Sequence, residues 1–294
     1  MTPDPANPQT EFPLYRLLLG CVCISFSPVF IKLADVSPDS AGFYRMLFAG
    51  VSLLALLKLR GESLRMPRKP LLLLCLAGLF LAVDFMCWHR SIELVGPGLS
   101  TLLGNFQVFF TALFSWLIFR QRVSRLFMLA VVMALCGLLL ITGSDWQGLD
   151  LGYRRGLGLG LLTAVFYSGY ILLVKQALND SSVNSVPAML MVSIPSTLLL
   201  ATATPLNGAD FVIPDSGSLF ALIGVGVIST TIGWSLISSA IKRIPATLAG
   251  LVLLLQPTLA LVWDVLFFDR PTGLVELGGI LIILAAIYIG SSRS

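Results

Sequence analysis

Ten apolar runs, each close to the length of a bilayer-crossing helix and separated by short connectors, leave this chain little freedom of fold. They lie at about 14–34, 39–58, 70–90, 97–119, 126–143, 156–177, 186–205, 218–239, 246–268 and 274–290, bounded by charges, Pro and Gly. A spanning helix needs about 20 apolar residues, so ten of them take up roughly 200 of the 294 residues and leave no room for a soluble domain. Only 12% of the residues are charged, against about a quarter in soluble domains. The expectation is an all-α polytopic membrane protein that meets the lipid bilayer and no nucleic acid.

Residues 1–13 carry prolines and acids but no Lys or Arg, unlike the basic start of a cleavable signal. They read as a cytoplasmic N-terminal tail ahead of a retained first span. The five cysteines (Cys21, Cys23, Cys75, Cys87, Cys136) lie inside spans without a CxxC pair, and His89 is the single histidine. No metal site and no cofactor are expected from that set.

Cations give the orientation. With the N-terminus inside, thirteen of the 19 Lys and Arg fall on the inner side. They include the Lys58 to Lys69 cluster, Arg120, Arg122 and Arg125, Lys242, Arg243 and Arg293. Outer connectors carry acids instead: Asp35, Asp39, Asp145, Asp150, Asp210, Asp215 and Asp269. The positive-inside rule then puts both termini in the cytoplasm of a multi-pass membrane protein. Span seven, with Pro187 and Pro195, and span four, with Gly104 and Asn105, are expected to be interrupted.

The ten spans divide into five plus five. Cys87-Trp88 aligns with Gly233-Trp234 at an offset of 146, and Gln107 and Phe119 align with Gln256 and Phe268 at 149. Lys32 aligns with Lys175 at 143. An odd number of spans per copy turns the second copy upside down. The expected organisation is thus ten transmembrane helices as two inverted five-helix repeats, at 14–143 and 156–290. An outer linker over 144–155 joins them, and 291–294 form a C-terminal tail. Inverted repeats accompany alternating access, with solute bound near the midplane between the copies. Repeat one is expected to rock against repeat two, hinged near Pro28, Pro195 and Pro257.

Ionisable groups inside spans are the sharpest functional leads, because each costs about 2.5–3.5 kcal/mol at a helix centre. Asp84 is the deepest and shares a helix face with Trp88 and Ser91. Arg45 sits at comparable depth in span two. The two read either as a charge pair that gates or couples transport, with protons as the candidate ion, or as a static interhelical pair. His89, beside Trp88 and near the outer interface, joins Arg45, Asp84 and Trp88 as a gating or coupling candidate. Lys32 and Lys175 fit snorkelling, and Asp264 needs a neighbouring cation. Neutral polar residues nearer mid-depth are the candidate solute contacts: Ser25, Ser27, Asn105, Gln107, Tyr167, Tyr170, Thr230, Trp234 and Gln256. They either bond across helices or face a wet cavity, and Trp88 and Trp234 fit an interfacial belt equally well.

With these residues in view, the whole chain resembles the EamA type of the drug/metabolite transporter superfamily. The likeness rests on the paired five-span organisation, Phe26 to Lys32, Arg45 within Phe43-Tyr44-Arg45, the turn at Ser91 and Ala240, and Gln256-Pro257. The resemblance implies a central cavity built by spans one to four and six to nine, with spans five and ten peripheral. It also implies efflux of amino acids, related metabolites or drugs by alternating access. Two departures bear on local helix bending: Val108 stands where the second copy has Pro257, and Arg120-Gln121 and Asp269-Arg270 replace the usual glutamate. A channel or lipid scramblase is the alternative to a carrier, although no selectivity filter sequence is visible. No catalytic motif such as G-x-S-x-G or H-E-x-x-H is present, so an enzyme is not expected. A monomer or weak dimer is expected.

Overall fold

The computed structural model describes residues 8–120, 124–142, 149–180, 182–241, 243–244 and 246–292. Arg122, Asp145, Lys242 and Arg293, used above for orientation, lie outside them, as do 1–7 of the N-terminal tail, 144–148 of the linker and 293–294 of the C-terminal tail. Every regular element among the described residues is helical.

Ten crossings follow in order. Crossing one is α1 (Pro8–Ser25) with α2 (Ser27–Leu33), crossing two α3 (Pro38–Arg60), and crossing three α4 (Arg68–Val95). Crossing four is α5 (Pro97–Gly104) with α6 (Gln107–Phe119), followed by α7 (Arg125–Thr142), α8 (Leu151–Leu178) and α9 (Ser185–Leu206). Crossing eight joins α10 (Ser216–Ile223), a π-helical stretch (Gly224–Gly233) and α11 (Trp234–Ile241). The last two are α12 (Ala246–Leu253) with α13 (Leu255–Phe268), and α14 (Leu274–Ser292). Seven crossings are long and apolar enough to span a membrane outright, and three shorter apolar helices complete the set. The helices begin and end where local chemistry dictates. Ser37 caps α3 by accepting from the Ser40 amide, with Pro38 in its first turn, and Gly61 at φ +63° closes its far end. Asp150 caps α8 through Gly152 N and Tyr153 N.

Mid-span breaks are a property of this bundle. Backbone freed inside a bilayer survives only where other protein groups or a cavity satisfy it. The expected interruption at Gly104–Asn105 occurs, a second break falls between Ser25 and Ser27 beside the hinge candidate Pro28, and a third separates α12 from α13. Span seven departs from expectation: α9 runs unbroken through Pro195. Pro187 lies in its first turn, where a missing N–H costs nothing.

Repeat symmetry is visible in the backbone. Spans four and nine both end on a non-glycine residue in the left-handed region, Arg120 (φ 53°) and Asp269 (φ 49°), which fall at the same 149-residue offset read from the sequence. The repeats nonetheless do not form two separate bodies. α8 of the second copy lies along α4 of the first, and α1 of the first packs on α11 and the π-helical stretch of the second. α3 and α9 cross the boundary antiparallel, and α7 pairs with α14 at the periphery through Gly137 and Gly279. The α4–α8 pair and the α1–α11 pair thus each join one copy to the other.

Candidate functional site

The face where α1 begins and α14 ends is here the terminal face; the other is the distal face. A cavity of about 100 Å³ runs inward from the terminal face. Its walls come from α3 (Met46, Arg60), α9 (Met189) and the π-helical stretch with α11 (Thr230, Trp234). The volume is below the roughly 300–1,000 Å³ of ordinary small-molecule sites, so the crevice must widen to take an organic solute.

Behind its inner end, past Met46 and Thr230, lies a set of buried polar groups. Arg45 donates Nε–H to Thr230 Oγ1 at 3.1 Å, and its guanidinium carbon lies 4.1 Å from the Phe85 ring centre and 5.3 Å from that of Trp88. Two aromatic faces and a hydroxyl thus carry a cation that lipid would reject. Thr230 is held in turn by the π-helical geometry, donating to Val225 O five residues back at 2.8 Å, as Thr231 does to Gly226 O. Asp84 is buried on the neighbouring turn of α4, within electrostatic reach of Arg45. The expected charge pair is not a direct contact: no ion pair joins them, and Arg45 Nη1 and Asp84 Oδ1 have no hydrogen-bond partner among the described residues. Tyr167 and Tyr170 stack at 5.5 Å beside the pair, and the Tyr170 hydroxyl points to Met189 Sδ at 3.6 Å. At the 146-residue offset, Asp84 corresponds to Thr230 and Trp88 to Trp234. The charge on this pseudo-symmetric axis is therefore carried by one copy alone.

The remaining candidates lie elsewhere. Ser25 accepts from Trp263 Nε1 at 3.0 Å and donates to Val22 O, while Gln256 points to Cys21 Sγ at 3.8 Å, so both belong to an α1–α13 contact. Ser27 is buried with Oγ unpartnered. Asn105 bonds back to Thr101 O and Gln107 accepts from Thr111, each within its own helix beside the α5–α6 break. Trp234 lines the cavity and Trp88 supports Arg45, so neither is only a belt residue.

Two titratable positions differ from the sequence reading, and a third gains the partner it was expected to have. His89 is fully buried rather than interfacial, donating Nδ1–H to Pro38 O at 2.9 Å and stacking on Phe85. Asp39 is not a solvated connector acid. It is 1% exposed, gripped at 2.6 Å by both Arg90 guanidinium nitrogens and by Asn207 at 2.7 Å. Asp264 finds its cation in Arg270 at 3.2 Å, which also binds Glu276 at 2.6 Å. Beyond the end of its span, Arg270 keeps a raised pKa: burial works against its charge, and the two carboxylates outweigh it. Sequence spacing hides these partnerships, because Asp39 and Arg90 are 51 residues apart. A second recess of about 360 Å³ on the distal face ends on this paired cluster and does not reach the central residues.

Comparison with known proteins follows the same outline. The sequence profile described as the EamA-like transporter family matches residues 13–143 and again 154–292. A probable amino-acid metabolite efflux pump of Salmonella typhimurium is 23% identical over 232 residues, covering 76% of this chain and 77% of that one. An uncharacterized inner membrane transporter of Escherichia coli, YhbE, is 25% identical over 298 residues, covering 95% and 91%. One solved crystal structure shares the fold with a TM-score of 0.65 and 20% identity over 96% of each chain.

Proposed function

The chain belongs to the EamA-like transporter family, and from that premise we propose that it is a secondary carrier exporting small organic solutes across the bacterial inner membrane by alternating access. The proposed solutes are amino acids, related metabolites or drugs. The terminal face is taken as cytoplasmic, following the cation bias. One observation carries the reading: a crevice from that face reaches Thr230, and directly behind it Arg45, bonded to that hydroxyl, and Asp84 each keep a buried polar atom without a protein partner among the described residues. Buried polar groups are costly unless matched, and a polar solute arriving through the crevice supplies the match.

In this account Thr230 and Trp234 on the crevice wall, with Tyr167 and Tyr170 of α8 behind it, contact the solute. Ser25, Ser27 and Gln256 on one side, with Asn105 and Gln107 on the other, border the path at the broken helices. Arg45, Asp84, Trp88 and His89 couple solute binding to the motion of the walls, with protons as the candidate coupling ion through Asp84. The name of the Salmonella relative, an efflux pump for amino-acid metabolites, supports the solute class. Purified protein is screened against unlabelled amino acids and related compounds for thermal stabilisation. A binder at 100 times its Kd adds about 2.7 kcal/mol. The compounds found are then tested for flux in proteoliposomes. Flux through Asp84→Asn that keeps the wild-type rate and pH dependence would refute the coupling role.

A further inference from the structure

We propose that the distal gate of this carrier is a pair of charge clamps gripping the α4–α5 corner on both flanks, and that they hold the resting protein closed on the distal face. The proposal rests on the transport reading above and assigns its gate to Asp39, Arg90, Asp264 and Arg270, which lie outside the central site.

The corner runs from Trp88 through the end of α4, reverses at Gly96 (φ +87°) and starts α5 at Pro97. A side chain at Gly96 would meet Asp264 Oδ2 at 2.8 Å and Arg270 Nη1 at 3.3 Å, so the corner is pressed onto its neighbours. On the α3 flank, Arg90 makes its bidentate pair with Asp39, Asn207 just past the end of α9 binds the same carboxylate, and His89 ties to Pro38 O. On the α13 flank, the Gly98 amide donates to Asp264 Oδ2 at 2.8 Å, and Arg270 donates Nη1–H to Val95 O at 2.9 Å. The Tyr44 hydroxyl to Phe211 O and the Ser40 hydroxyl to Asp210 O add bonds from α3 to the α9–α10 connector on the same face.

The inverted repeat supplies the comparison that makes these contacts a gate. If the copies were identical, the terminal-open and distal-open states would be related by symmetry and equal in energy. At the 146-residue offset, His89 and Arg90 correspond to Ser235 and Leu236; at 149, Asp264 corresponds to Ser115. None of these carries charge. On the terminal side, beside the open cavity, α3 and α9 meet instead through apolar packing of Leu53 and Leu57 against Val186, Met189 and Leu190. Both clamps thus stabilise one state only, the one closed distally and open toward the termini. Solute moving outward must break both.

Hydrogen–deuterium exchange of the full chain in lipid nanodiscs, without solute, tests this. Asp39→Asn/Arg90→Gln removes one clamp without stranding a charge, and Asp264→Asn weakens the other while Arg270 keeps Glu276. In each, exchange at the ends of α4 and α9 and the start of α3 is expected to rise about 5- to 150-fold. Exchange at the end of α3, the start of α9 and α11 is expected to fall in step. Faster distal exchange with no terminal change identifies a mere structural staple and overturns the gate, as does no change at all. Should the double variant fail to fold, Tyr44→Phe and Ser40→Ala remove uncharged bonds on the same face; the reciprocal shift, smaller, must then appear there, and its absence overturns the proposal. Flux is measured separately on wild type. A reciprocal shift in a protein that carries no solute refutes the transport reading and leaves the gate standing, while saturable flux without a reciprocal shift does the reverse.

Discussion

Replacing Arg45 with Met tests whether the central site is one electrostatic unit although its two charges do not touch. Met fills similar length against Phe85 and Trp88, so little packing is lost. What disappears is the charged bond to Thr230, together with the cation that faces buried Asp84. Thr230 keeps its bond to Val225 O and is not orphaned as a donor. Stranding one partner of a buried pair costs about 3–5 kcal/mol. At roughly 2–4 °C per kcal/mol, Arg45→Met should lower the thermal midpoint by about 6–20 °C, read by fluorescence in detergent. Arg45→Met/Asp84→Asn removes both charges and should recover at least about 1 kcal/mol relative to the sum of the single losses. Losses that add within about 0.5 kcal/mol would refute the coupling and leave Asp84 an independent buried group.

Other outcomes follow from contacts at named positions. A Cβ at Gly98 would sit 2.7 Å from Leu261 Cδ2 and 2.8 Å from its Cα, so Gly98→Ala should cost about 1–3 kcal/mol by prying α5 from α13. Gly158→Ala meets nothing within 4 Å and should instead stabilise by about 0.5–1 kcal/mol in the same thermal assay. Ser196 donates to Gly78 O at 2.7 Å across the α4–α9 contact, and Ser196→Ala should lose about 0.6 kcal/mol, the usual value for such a bond in a bilayer. Trp234→Ala, at the cavity wall, should weaken solute binding roughly 2- to 12-fold, from about 0.5–1.5 kcal/mol of aromatic contact, and should also lower the thermal midpoint because Trp234 packs on the Leu53–Val186 cluster.

Much of the architecture could be read from residues alone, because the bilayer enforces a simple rule: apolar runs span and cations stay inside. Ser25 to Pro28 and Gly104-Asn105 marked real helix breaks, and the 149-residue offset reappears as the left-handed pair Arg120 and Asp269. The site was less legible. Arg45 and Asp84 stood out as intramembrane charges, but helix rotation decides partners, and it sends Arg45 to Thr230 and two aromatic rings. Asp39 looked like a connector acid because it follows Ser37-Pro38. The signal that could have corrected this is Arg90, a cation one turn from the end of a span whose side otherwise carries acids. Asp264 was six residues from its partner, and only the reversal at Asp269 brings Arg270 back to it. The π-helical stretch has no sequence period of its own, since Gly224–Gly233 reads as ordinary apolar helix. Pro195 signalled a break that did not form, because α9 continues through it packed against Gly78.

The most direct test of the account is efflux from proteoliposomes loaded with a mixture of amino acids and related metabolites, resolved by mass spectrometry as a function of internal concentration. The account predicts that a defined subset leaves through wild-type protein with saturating kinetics, and that Arg45→Met abolishes this flux while the lipid seal stays intact. Flux that rises linearly with concentration, or losses no faster than from protein-free liposomes, would contradict it.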